Sequence, residues 1–336
     1  MKKLAVLLPT YNAASYIAHS INSILNQTHS DFDLFIYDDC STDDTAVIVE
    51  NFSDTRINYK KNEKNLGIAK TLNRGLTELL LNYDYIARMD ADDWAYPGRF
   101  KTQLDYLNDH QDVEMCGTQG YWIKDMTLNP ESGWEYPVRH EYIKYYLLFA
   151  ATFNHQSVIF RSKFLQTHQL RYDESISTCE DWEFWTRIIN KGKLANLPSF
   201  LIKCRILPFS NHHSPLNKER HLQERSKIIS DYWADFNVSL SPKQIFDFYY
   251  SEVSLSKQQF IRNAKILIQN FNVIYSKASQ DLNIEECRSF RYMLARQILN
   301  YWKRTKLSRF DVVIWWRIVR EVKFMNTLKL IKSIIR

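Results

Sequence analysis

Residues 83–97 read YDYIARMDADDWAYP, a short apolar strand pattern that runs directly into three carboxylates, Asp90, Asp92 and Asp93. Carboxylates this close repel one another, so the turn needs a positive charge among them. One interpretation is a site for Mg²⁺ or Mn²⁺, which binds through one or two carboxylates and completes its shell with water and substrate phosphates. The other is a solvated acidic turn that caps the helix expected after Pro97. The stretch alone fits both interpretations equally.

Three strand-and-helix patterns precede this stretch. Residues 4–8 (LAVLL) are continuously apolar, as expected of a strand buried on both faces, and Ser15 is placed to cap a helix over 17–25. The strand pattern returns at 32–39 (FDLFIYDD) and 56–61 (RINYKK), and a helical pattern follows each. Strands that alternate with helices predict a Rossmann-like α/β fold, a doubly wound and mostly parallel sheet with right-handed crossovers.

The carboxyl ends of the four predicted strands are all polar. In doubly wound sheets, ligands bind just outside this edge. Packing gives no reason for polar and acidic residues to converge there, so we predict a functional edge. The four ends are Pro9 to Asn12, Asp38 and Asp39, Asn62 to Gly67, and Asp90 to Asp93.

The rest of the chain divides into two further parts. The pattern is mixed between 111 and 214, whereas beyond 215 glycine is absent and Lys, Arg, Tyr, Trp and Ile dominate, which predicts a separate helical region. We therefore predict parts at 1–110, 111–214 and 215–336. The elements expected in the middle part are one or two strands over 113–123, a helix over 141–150, a strand over 150–162, a helix over 179–192 and a strand over 200–206.

Composition restricts the kind of protein. With 336 residues and 45% hydrophobic content, the chain can bury a sizeable core. Five cysteines without a CxxC spacing favour a reducing, cytoplasmic setting over a zinc or redox site. The apolar run at the amino terminus is too short for a signal peptide, and no run approaches the roughly 18 residues of a membrane span. We therefore expect that the chain does not cross a membrane.

Five motifs in this order resemble family 2 glycosyltransferases with the GT-A fold, and together they cover roughly residues 2–210. They are VLLPTYNAASYIAHSINSILNQTHSDFDLFIYDDCSTDDT, NLGIAKTLNRGL, YIARMDADDWAYPGRF, NHQSVIFR and CEDWEFWTRI. The resemblance implies an enzyme that moves a sugar, with inversion, from a nucleotide diphosphate donor, usually a UDP-sugar, to an acceptor hydroxyl. It implies a hexosyl- or N-acetylhexosaminyltransferase with a divalent metal cofactor, Mn²⁺ or Mg²⁺.

The resemblance also implies roles for individual residues on the donor side. Asp39 is favoured as the uracil contact over its neighbour Asp38, which fits a helix-capping carboxylate as well. Arg74 fits a diphosphate contact or an exposed helix arginine equally, and Asp93 fits a supporting or capping role. The implied donor-binding residues are Pro9, Tyr11, Asn12, Asp39, Asn65, Gly67, Arg74, Asp90 on the ribose, and Asp92, which is also the implied metal ligand.

The reaction also needs a base, because an alcohol is a poor nucleophile until its proton is removed during attack. An inverting displacement needs one carboxylate opposite the leaving group. The family places this base in an acidic pair before an aromatic-rich helix, which implies Asp181 as the base and Glu180 as an acceptor contact. The alternative is that a helix N-terminus simply favours both carboxylates. Trp182 and Trp185 fit a sugar-stacking position, but core positions are commoner for such residues.

Histidines are the point at which this chain departs from the family. The family commonly has a histidine two residues after an arginine that follows the base helix, whereas Arg205 here is followed by Leu207. His212 and His213 come later and fit either a substitute phosphate or metal contact or a solvated loop. His155 fits a structural or acceptor-facing role better than a metal ligand.

The basic charge is concentrated at the carboxyl terminus. Residues 303–336 carry ten Lys or Arg against Asp311 and Glu321, a net charge of +8, whereas the rest of the chain sums to −2. Residues 310–335 predict two short amphipathic helices or one kinked helix. Such a basic tail suits an anionic membrane surface, and packing against the catalytic part is the alternative.

These patterns together predict a cytoplasmic enzyme, peripheral at the inner face of the plasma membrane. The expected product is a surface glycan such as lipopolysaccharide or capsule, built on a lipid-linked glycan acceptor. One alternative is a protein or soluble acceptor. Another, from a different class, is a nucleic-acid-binding protein. We expect no nucleic acid partner, because the acidic edge would repel phosphates unless a metal intervened.

Overall fold

The chain divides into two compact units, Met1–Lys218 and Glu219–Arg336. The predicted helical region therefore begins close to the boundary between the units, and the predicted division at 110 lies inside the first unit. How donor and acceptor functions divide among the three predicted parts stays a prediction. The structure is a computed structural model that describes residues 4–124, 130, 132–206, 215–250 and 256–304.

The first four strands lie side by side in a nine-stranded sheet. They are β1 (Leu4–Thr10), β2 (Phe32–Asp38), β3 (Ile57–Lys61) and β4 (Tyr85–Arg88). Their spatial order is β3-β2-β1-β4, and all three pairings are parallel. Every residue of β1 is buried, as its continuous apolar sequence predicts. The chain order reverses between β1 and β4, which is where ligands bind in sheets of this type.

Five further strands extend the sheet beyond β4. They are β5 (Trp94–Ala95), β6 (Val113–Ile123), β7 (Ser132–Trp134), β8 (Ile159–Arg161) and β9 (Lys193–Arg205). β8 pairs antiparallel with β4 and β6, and β6 pairs in parallel with β9. The short strands β5 and β7 pair antiparallel with β9 and β6. The predicted α/β sheet is confirmed, with parallel pairing throughout β1–β4 and mixed pairing beyond.

The helices described for the first unit connect and cover these strands. They are α1 (Ile17–Leu25), α2 (Thr45–Glu50), α3 (Ile68–Leu79), α4 (Arg99–Asp109), α5 (His140–Tyr146), α6 (Ser162–Thr167) and α7 (Glu180–Ile188). Helix α3 approaches β1 closely at Gly75, where an added Cβ would lie 2.4 Å from Cδ1 of Leu7. The glycine therefore sets the depth at which α3 packs on the sheet.

Helix α1 is confirmed, but the predicted cap by Ser15 is wrong, because no side chain caps this helix. The amides just before the helix bond instead to side chains at the start of α2 and in the loop before it. The Ala13 N–H donates to Oγ1 of Thr45 at 2.9 Å, and the Ala14 N–H donates to a carboxylate oxygen of Asp43 at 3.0 Å. Tertiary contacts with the loop after β2 and with the first residue of α2 thus replace the local cap.

Several predictions for the middle of the chain change in extent. The helix expected over 141–150 is α5, His140–Tyr146, and the helix expected over 179–192 is α7, Glu180–Ile188. The pattern over 113–123 forms one strand, β6. Most of the predicted strand over 150–162 is a loop with a 3-10 turn at His155–Ser157, and only three residues form β8. Strand β9 begins at Lys193, before the start of the strand predicted over 200–206.

The described residues of the second unit are helical, as predicted. The helices are α8 (Pro215–Ala234), which begins just before the boundary, α9 (Pro242–Tyr249), α10 (Lys257–Asp281) and α11 (Ile284–Arg304). Reciprocal side-chain and backbone bonds between Ser241 and Gln244, and between Ser256 and Gln259, cap α9 and α10. Of the helices that the structure describes, none is long and apolar enough to span a membrane.

Candidate active site

The candidate site begins where the carboxyl ends of β1 and β4 lie next to each other. The Met89 N–H donates to the Leu7 carbonyl at 3.1 Å and continues the pairing past the last residue of β4. The carbonyl of Asp90 then accepts a hydrogen bond from Oγ of Ser20 in α1 at 2.7 Å. The backbone at Asp90, the first residue of the acidic stretch, is therefore fixed against α1 at the point where the strand order reverses.

The loop after β1 is tied to the loop after β2 through Asn12. Its φ of 48° is left-handed, a conformation that asparagine tolerates. Its side-chain oxygen accepts from the Thr42 N–H at 2.8 Å, and its own N–H donates to Oγ of Ser41 at 2.9 Å. Beside it Tyr11 is 50% exposed, whereas Pro9 is buried in β1. Of the three residues predicted to contact the nucleoside, Tyr11 and Asn12 are exposed to a ligand and Pro9 is not.

Asp39 organises the loop that precedes α3. One carboxylate oxygen accepts from Nδ2 of Asn62 and from the Leu66 N–H, both at 2.7 Å, and the other accepts from the Gly67 N–H at 2.8 Å. Gly67 has a φ of 85°, which favours glycine, and no atom lies within 4 Å of the position where a Cβ would be. The backbone from Asn65 to Gly67 is thus held in place beside open space.

Asp38 and Arg74 each form hydrogen bonds that hold one of these loops, the loop after β2 and the loop before α3. Asp38 is 0% exposed and accepts from the Ser41 N–H at 2.7 Å and from the Tyr59 hydroxyl at 2.5 Å. It therefore holds the second loop from inside and does not cap α2. Arg74 is exposed on α3, and its guanidinium donates to the side-chain oxygen of Asn62. This bond connects it to the loop before α3.

The three carboxylates after β4 converge, because one oxygen of each lies within 4.8 Å of the others. Asp90 forms an ion pair with Arg88, and the buried Asp93 accepts from the Arg205 N–H at 2.7 Å. The Asp92 carbonyl accepts from Nε of Arg205 at 3.0 Å. Among the described residues, the carboxylate of Asp92 has no partner outside its own residue. It is the member of the cluster most available to an added cation.

The electrostatics of this cluster favour a positive charge. Burial raises the pKa of Asp92 to about 6, and the charge of Asp90 adds to the effect. Burial also raises the pKa of Asp93 well above its usual value, with the charge of Asp92 contributing. Clustered carboxylate oxygens are the ligands that Mg²⁺ and Mn²⁺ prefer, so the donor set fits such an ion. The solvated capping turn is wrong, because Asp93 is 4% exposed and the N-cap of α4 is Gly98.

Two buried arginines lie behind the cluster. Arg88, which pairs with Asp90, is 3% exposed, and Arg99 is 0% exposed. Arg99 donates to the Arg88 carbonyl at 2.8 Å and to Oε1 of Gln103 at 3.1 Å. Burial lowers the pKa of Arg99 to about 9. Both guanidiniums place positive charge behind the carboxylates, which offsets part of their mutual repulsion.

The second acidic pair lies in the first turn of α7. The Glu180 side chain is 12% exposed, and burial, followed by the charge of Asp181, raises its pKa to about 8. The charges of Arg88 and Asp90 also act on Glu180, so the pair lies close to the cluster after β4. Oδ1 of Asp181 accepts from the Trp182 N–H at 2.6 Å. The strand ends and α7 therefore contribute to one site.

His155 connects this pair to the protein interior. Its Nε2 is 2.8 Å from the Tyr172 hydroxyl, and its Nδ1 is 3.8 Å from Oε1 of Glu180. Burial lowers the pKa of His155 well below its usual value, and the positive charge of Arg88 lowers it further. A neutral histidine beside Glu180 agrees with the predicted structural or acceptor-facing role.

The sequence-based interpretation missed one charged residue that joins the two acidic groups. The apolar pattern predicts only that Arg88 belongs to a strand, although an arginine two residues before Asp90 inside such a strand is itself a signal. Trp182 and Trp185 are 3% and 0% exposed, so the core interpretation is confirmed for both.

Two further predictions lie outside the described residues. One is the substitute role for His212 and His213, and the other is the amphipathic structure over 310–335. Neither is tested, and both stay predictions.

Comparison with protein families and curated proteins places this geometry in context. Residues 5–167 match the family model of glycosyl transferase family 2. An uncharacterized glycosyltransferase of Haemophilus influenzae is 33% identical over 217 residues, which are 60% of this chain and 65% of that protein. One of Methanocaldococcus jannaschii is 32% identical over 227 residues, which are 65% of this chain and 75% of that protein. The chain thus spans 65% and 75% of the length of these two relatives.

Solved structures share the fold at lower identity. S. aureus TarS 1–349 in complex with UDP-GlcNAc is 18% identical with a TM-score of 0.57, and the match covers 90% of each chain. The mannosyltransferase PcManGT of Pyrobaculum calidifontis, in complex with GDP-Man and Mn²⁺, is 14% identical with a TM-score of 0.51, and the match covers 90% of this chain and 86% of that one. At these identities the likeness shows a common fold.

Proposed function

Because this chain belongs to glycosyl transferase family 2 and has the GT-A type α/β fold, we propose that it is an inverting sugar transferase. The sugar passes from a nucleotide diphosphate donor to an acceptor hydroxyl. The observation that carries the proposal is the proximity of two acidic groups at one edge of the sheet. One is the cluster after β4, and the other is the pair at the start of α7. The reaction needs a cation-binding group on the donor side and a base on the acceptor side, and these two groups have the right chemistry for both.

The donor is assigned to the loops after β1 and β2 and before α3. A UDP-sugar is the simplest choice, because the family usually takes one. Two observations support this assignment: Tyr11 is exposed at the edge, and the space beside Gly67 is open to a close approach of the nucleotide. The residues assigned to the donor are Pro9, Tyr11, Asn12, Asp39, Asn65, Gly67, Arg74, Asp90 and Asp92.

Asp92 is assigned as the metal ligand and Asp90 as the residue on the ribose side. Mn²⁺ or Mg²⁺ at this position would offset the charge that develops on the leaving diphosphate. The carboxylate of Asp92 is suited to this role because it lies in the acidic cluster and the partners of the other two carboxylates leave it available.

Asp181 is assigned as the base. The acceptor oxygen attacks the anomeric carbon, and the bond from that carbon to the diphosphate oxygen breaks. Its electron pair leaves with the diphosphate, and the acceptor proton passes to Asp181. Glu180 is less suited to accept the proton, since its pKa of about 8 keeps it largely protonated near neutral pH. A protonated Glu180 can instead donate a hydrogen bond to the acceptor and position it.

The proposal extends to the kind of donor sugar and to the class of acceptor. The two structural neighbours bind UDP-GlcNAc and GDP-Man, so both hexosyl and N-acetylhexosaminyl donors belong in any screen. We assign the acceptor to a surface glycan such as lipopolysaccharide or capsule, carried on a lipid. The basic tail supports this choice, because it would hold the enzyme at the inner face of the plasma membrane. A protein or soluble acceptor is the alternative.

The test of the proposed function is release of nucleoside diphosphate from UDP-glucose, UDP-galactose, UDP-GlcNAc, UDP-GalNAc and GDP-mannose, each with Mn²⁺. We expect slow hydrolysis of at least one donor, because water can replace the acceptor. Asp181→Asn should lower that rate by about 10²–10⁴-fold, the usual contribution of a positioned base. Asp112→Asn, a change at an exposed carboxylate paired with Lys193, should leave it unchanged. Hydrolysis of no donor, or equal rates in the two variants, would contradict the proposal.

A further inference from the structure

Two aromatic side chains stand out among the described residues of the first unit because more than a third of their surface is exposed. Tyr11, which is 50% exposed, already has a place on the donor side. Trp122, in β6, is 37% exposed. A tryptophan at the surface offers a large aromatic face that a ligand can contact.

Trp122 forms one layer of a stacked pair with Trp134 of β7. Their ring centroids are 4.1 Å apart, and the rings are inclined by 28°. The register explains the pairing: Gly120 lies opposite Trp134, and Trp122 lies two residues further on the same face of β6. A Cβ on Gly120 would be 2.8 Å from the Trp134 ring, so the glycine makes room for it. Strand register and the small Gly120 therefore hold the two tryptophan rings together on the sheet.

The tryptophan pair is continuous with the acceptor side of the candidate site. Nε1 of Trp134 donates to Oδ1 of Asn154 at 2.8 Å. The next residue is His155, whose Nδ1 is 3.8 Å from Oε1 of Glu180. Two contacts and one peptide bond therefore separate the tryptophans from the acidic pair of α7.

The β6–β9 ladder connects the pair to the donor side as well. Trp122 is the register partner of Cys204, so both side chains lie on the same face of the sheet. Burial raises the pKa of the Cys204 thiol, and the nearby charges of Asp93 and Asp90 contribute. Arg205, the next residue, bonds to the acidic cluster. The tryptophan pair thus lies beside both halves of the site.

We propose that the Trp122–Trp134 pair is an acceptor subsite on which a pyranose ring of the glycan acceptor stacks. This inference rests on the proposed function, and it names the acceptor as a cyclic sugar. A pyranose presents an apolar face of C–H groups that an aromatic ring covers well, while its hydroxyls stay available for polar contacts at the edge. An acyclic polyol has no such rigid face. Trp134 packs against Gly120, so its replacement would also disturb the sheet. Trp122 is therefore the residue to substitute in a test of the subsite.

The experiment measures binding of maltose, lactose and N,N′-diacetylchitobiose to the full chain by saturation-transfer NMR, with sorbitol as the acyclic control. We expect at least one disaccharide to bind and sorbitol not to bind. Trp122→Ala should weaken that binding by about five-fold, within the range of one aromatic contact. Trp122→Phe should retain most of it, and Leu81→Ala, at a residue 81% exposed, should not change it.

A second measurement, the melting-temperature shift given by UDP, separates the stacking subsite from the donor site. The melting-temperature shift given by UDP with Mn²⁺ should be the same in Trp122→Ala and the wild type, which shows that the variant folds and keeps its donor site. Absence of that shift in the wild type would count against the donor assignment, whereas a normal shift without binding of any disaccharide would overturn the stacking subsite. The stacking subsite would also be overturned if Trp122→Ala bound the disaccharide as tightly as the wild type, or if the wild type bound sorbitol as tightly as the disaccharide.

Discussion

Glu180 is a carboxyl group that its surroundings keep protonated close to neutral pH. Its side chain is 12% exposed, and burial together with the charge of Asp181 raises its pKa to about 8. Neighbouring carboxylates with different surroundings divide the roles of acid and base in many enzymes. The same division underlies the assignment of Asp181 as the base and Glu180 as the residue that positions the acceptor.

The raised pKa of Glu180 predicts how stability depends on pH. The folded protein holds this proton between the ordinary pKa of 4.5 and the folded value of about 8, whereas the unfolded chain releases it. The contribution is therefore complete below pH 4.5 and is lost as pH rises through 8. Denaturant unfolding between pH 6 and 8.5 should show that the wild type loses stability relative to Glu180→Gln.

Glu141→Gln is the matched control for this measurement. Partial burial would raise the pKa of Glu141, but bonds from its own backbone amide and from Arg139 outweigh it and leave the pKa below 4.5. Glu141 is then ionised in both states above pH 6, so its replacement should leave the pH dependence unchanged. A wild-type curve parallel to that of Glu180→Gln would show that Glu180 is ionised in the folded protein.

Single residues also show where sequence reasoning ends. Asp90, Asp92 and Asp93 were recognised as a cluster because they are adjacent in the chain, and the structure brings their oxygens together. Arg88 and Glu180 are far apart in sequence, so their proximity depends on how β4 and α7 pack. No local pattern contains that information, although a buried arginine in an apolar strand is a visible sign of a nearby acid.

At the scale of elements, the packing of α3 on β1 depends on one glycine. Gly75→Ala should destabilise the protein by about 1–3 kcal/mol, because the new methyl group overlaps Leu7 and forces the helix to shift. Gly98→Ala is the control for steric overlap, since the nearest atom to its added Cβ is Oγ1 of Thr102, at 3.8 Å, and its cost is limited to the weaker N-cap preference of alanine. Equal unfolding midpoints in denaturant for the two variants would show that α3 can move without cost.

Elements were predictable where a single segment determines them. Helix α1 and strands β1, β2 and β4 follow from apolar periodicity in their own residues. The cap of α1 and the extent of β8 could not be predicted from sequence, because both depend on residues distant in the chain. Ala13 bonds to Thr45 at the start of α2, and the region before β8 is a loop whose Asn154 bonds to Trp134 of β7. Tertiary contacts there override local preference.

At the scale of the whole molecule, the sequence predicted the functional edge because topology brings the carboxyl ends of parallel strands together. The mixed half of the sheet was harder to foresee. Its strands β5, β7 and β8 are two or three residues long and carry almost no periodic signal. The tryptophan pair lies in that half, and its place beside the site follows from strand register and from the bond of Trp134 to Asn154.

The basic tail carries the prediction of membrane association. The full chain should sediment with vesicles that contain phosphatidylserine and not with neutral phosphatidylcholine vesicles. Each basic residue near an anionic surface contributes about 1 kcal/mol, so 0.5 M salt should weaken binding strongly. Removal of residues 305–336 should abolish it while leaving donor hydrolysis intact. Binding that survives this removal would assign the membrane contact to another part of the chain.

A metal-dependent nucleotide site at Asp92 is tested by the melting temperature with UDP, measured in the presence and absence of Mn²⁺. With UDP at about 100 times its dissociation constant, we expect an increase of about 5 °C that requires the metal. Asp92→Ala should lose this increase, and Asp112→Ala should keep it. No increase with UDP or GDP from a folded protein in Mn²⁺, or an equal increase in Asp92→Ala, would rule out a metal-dependent nucleotide site at Asp92.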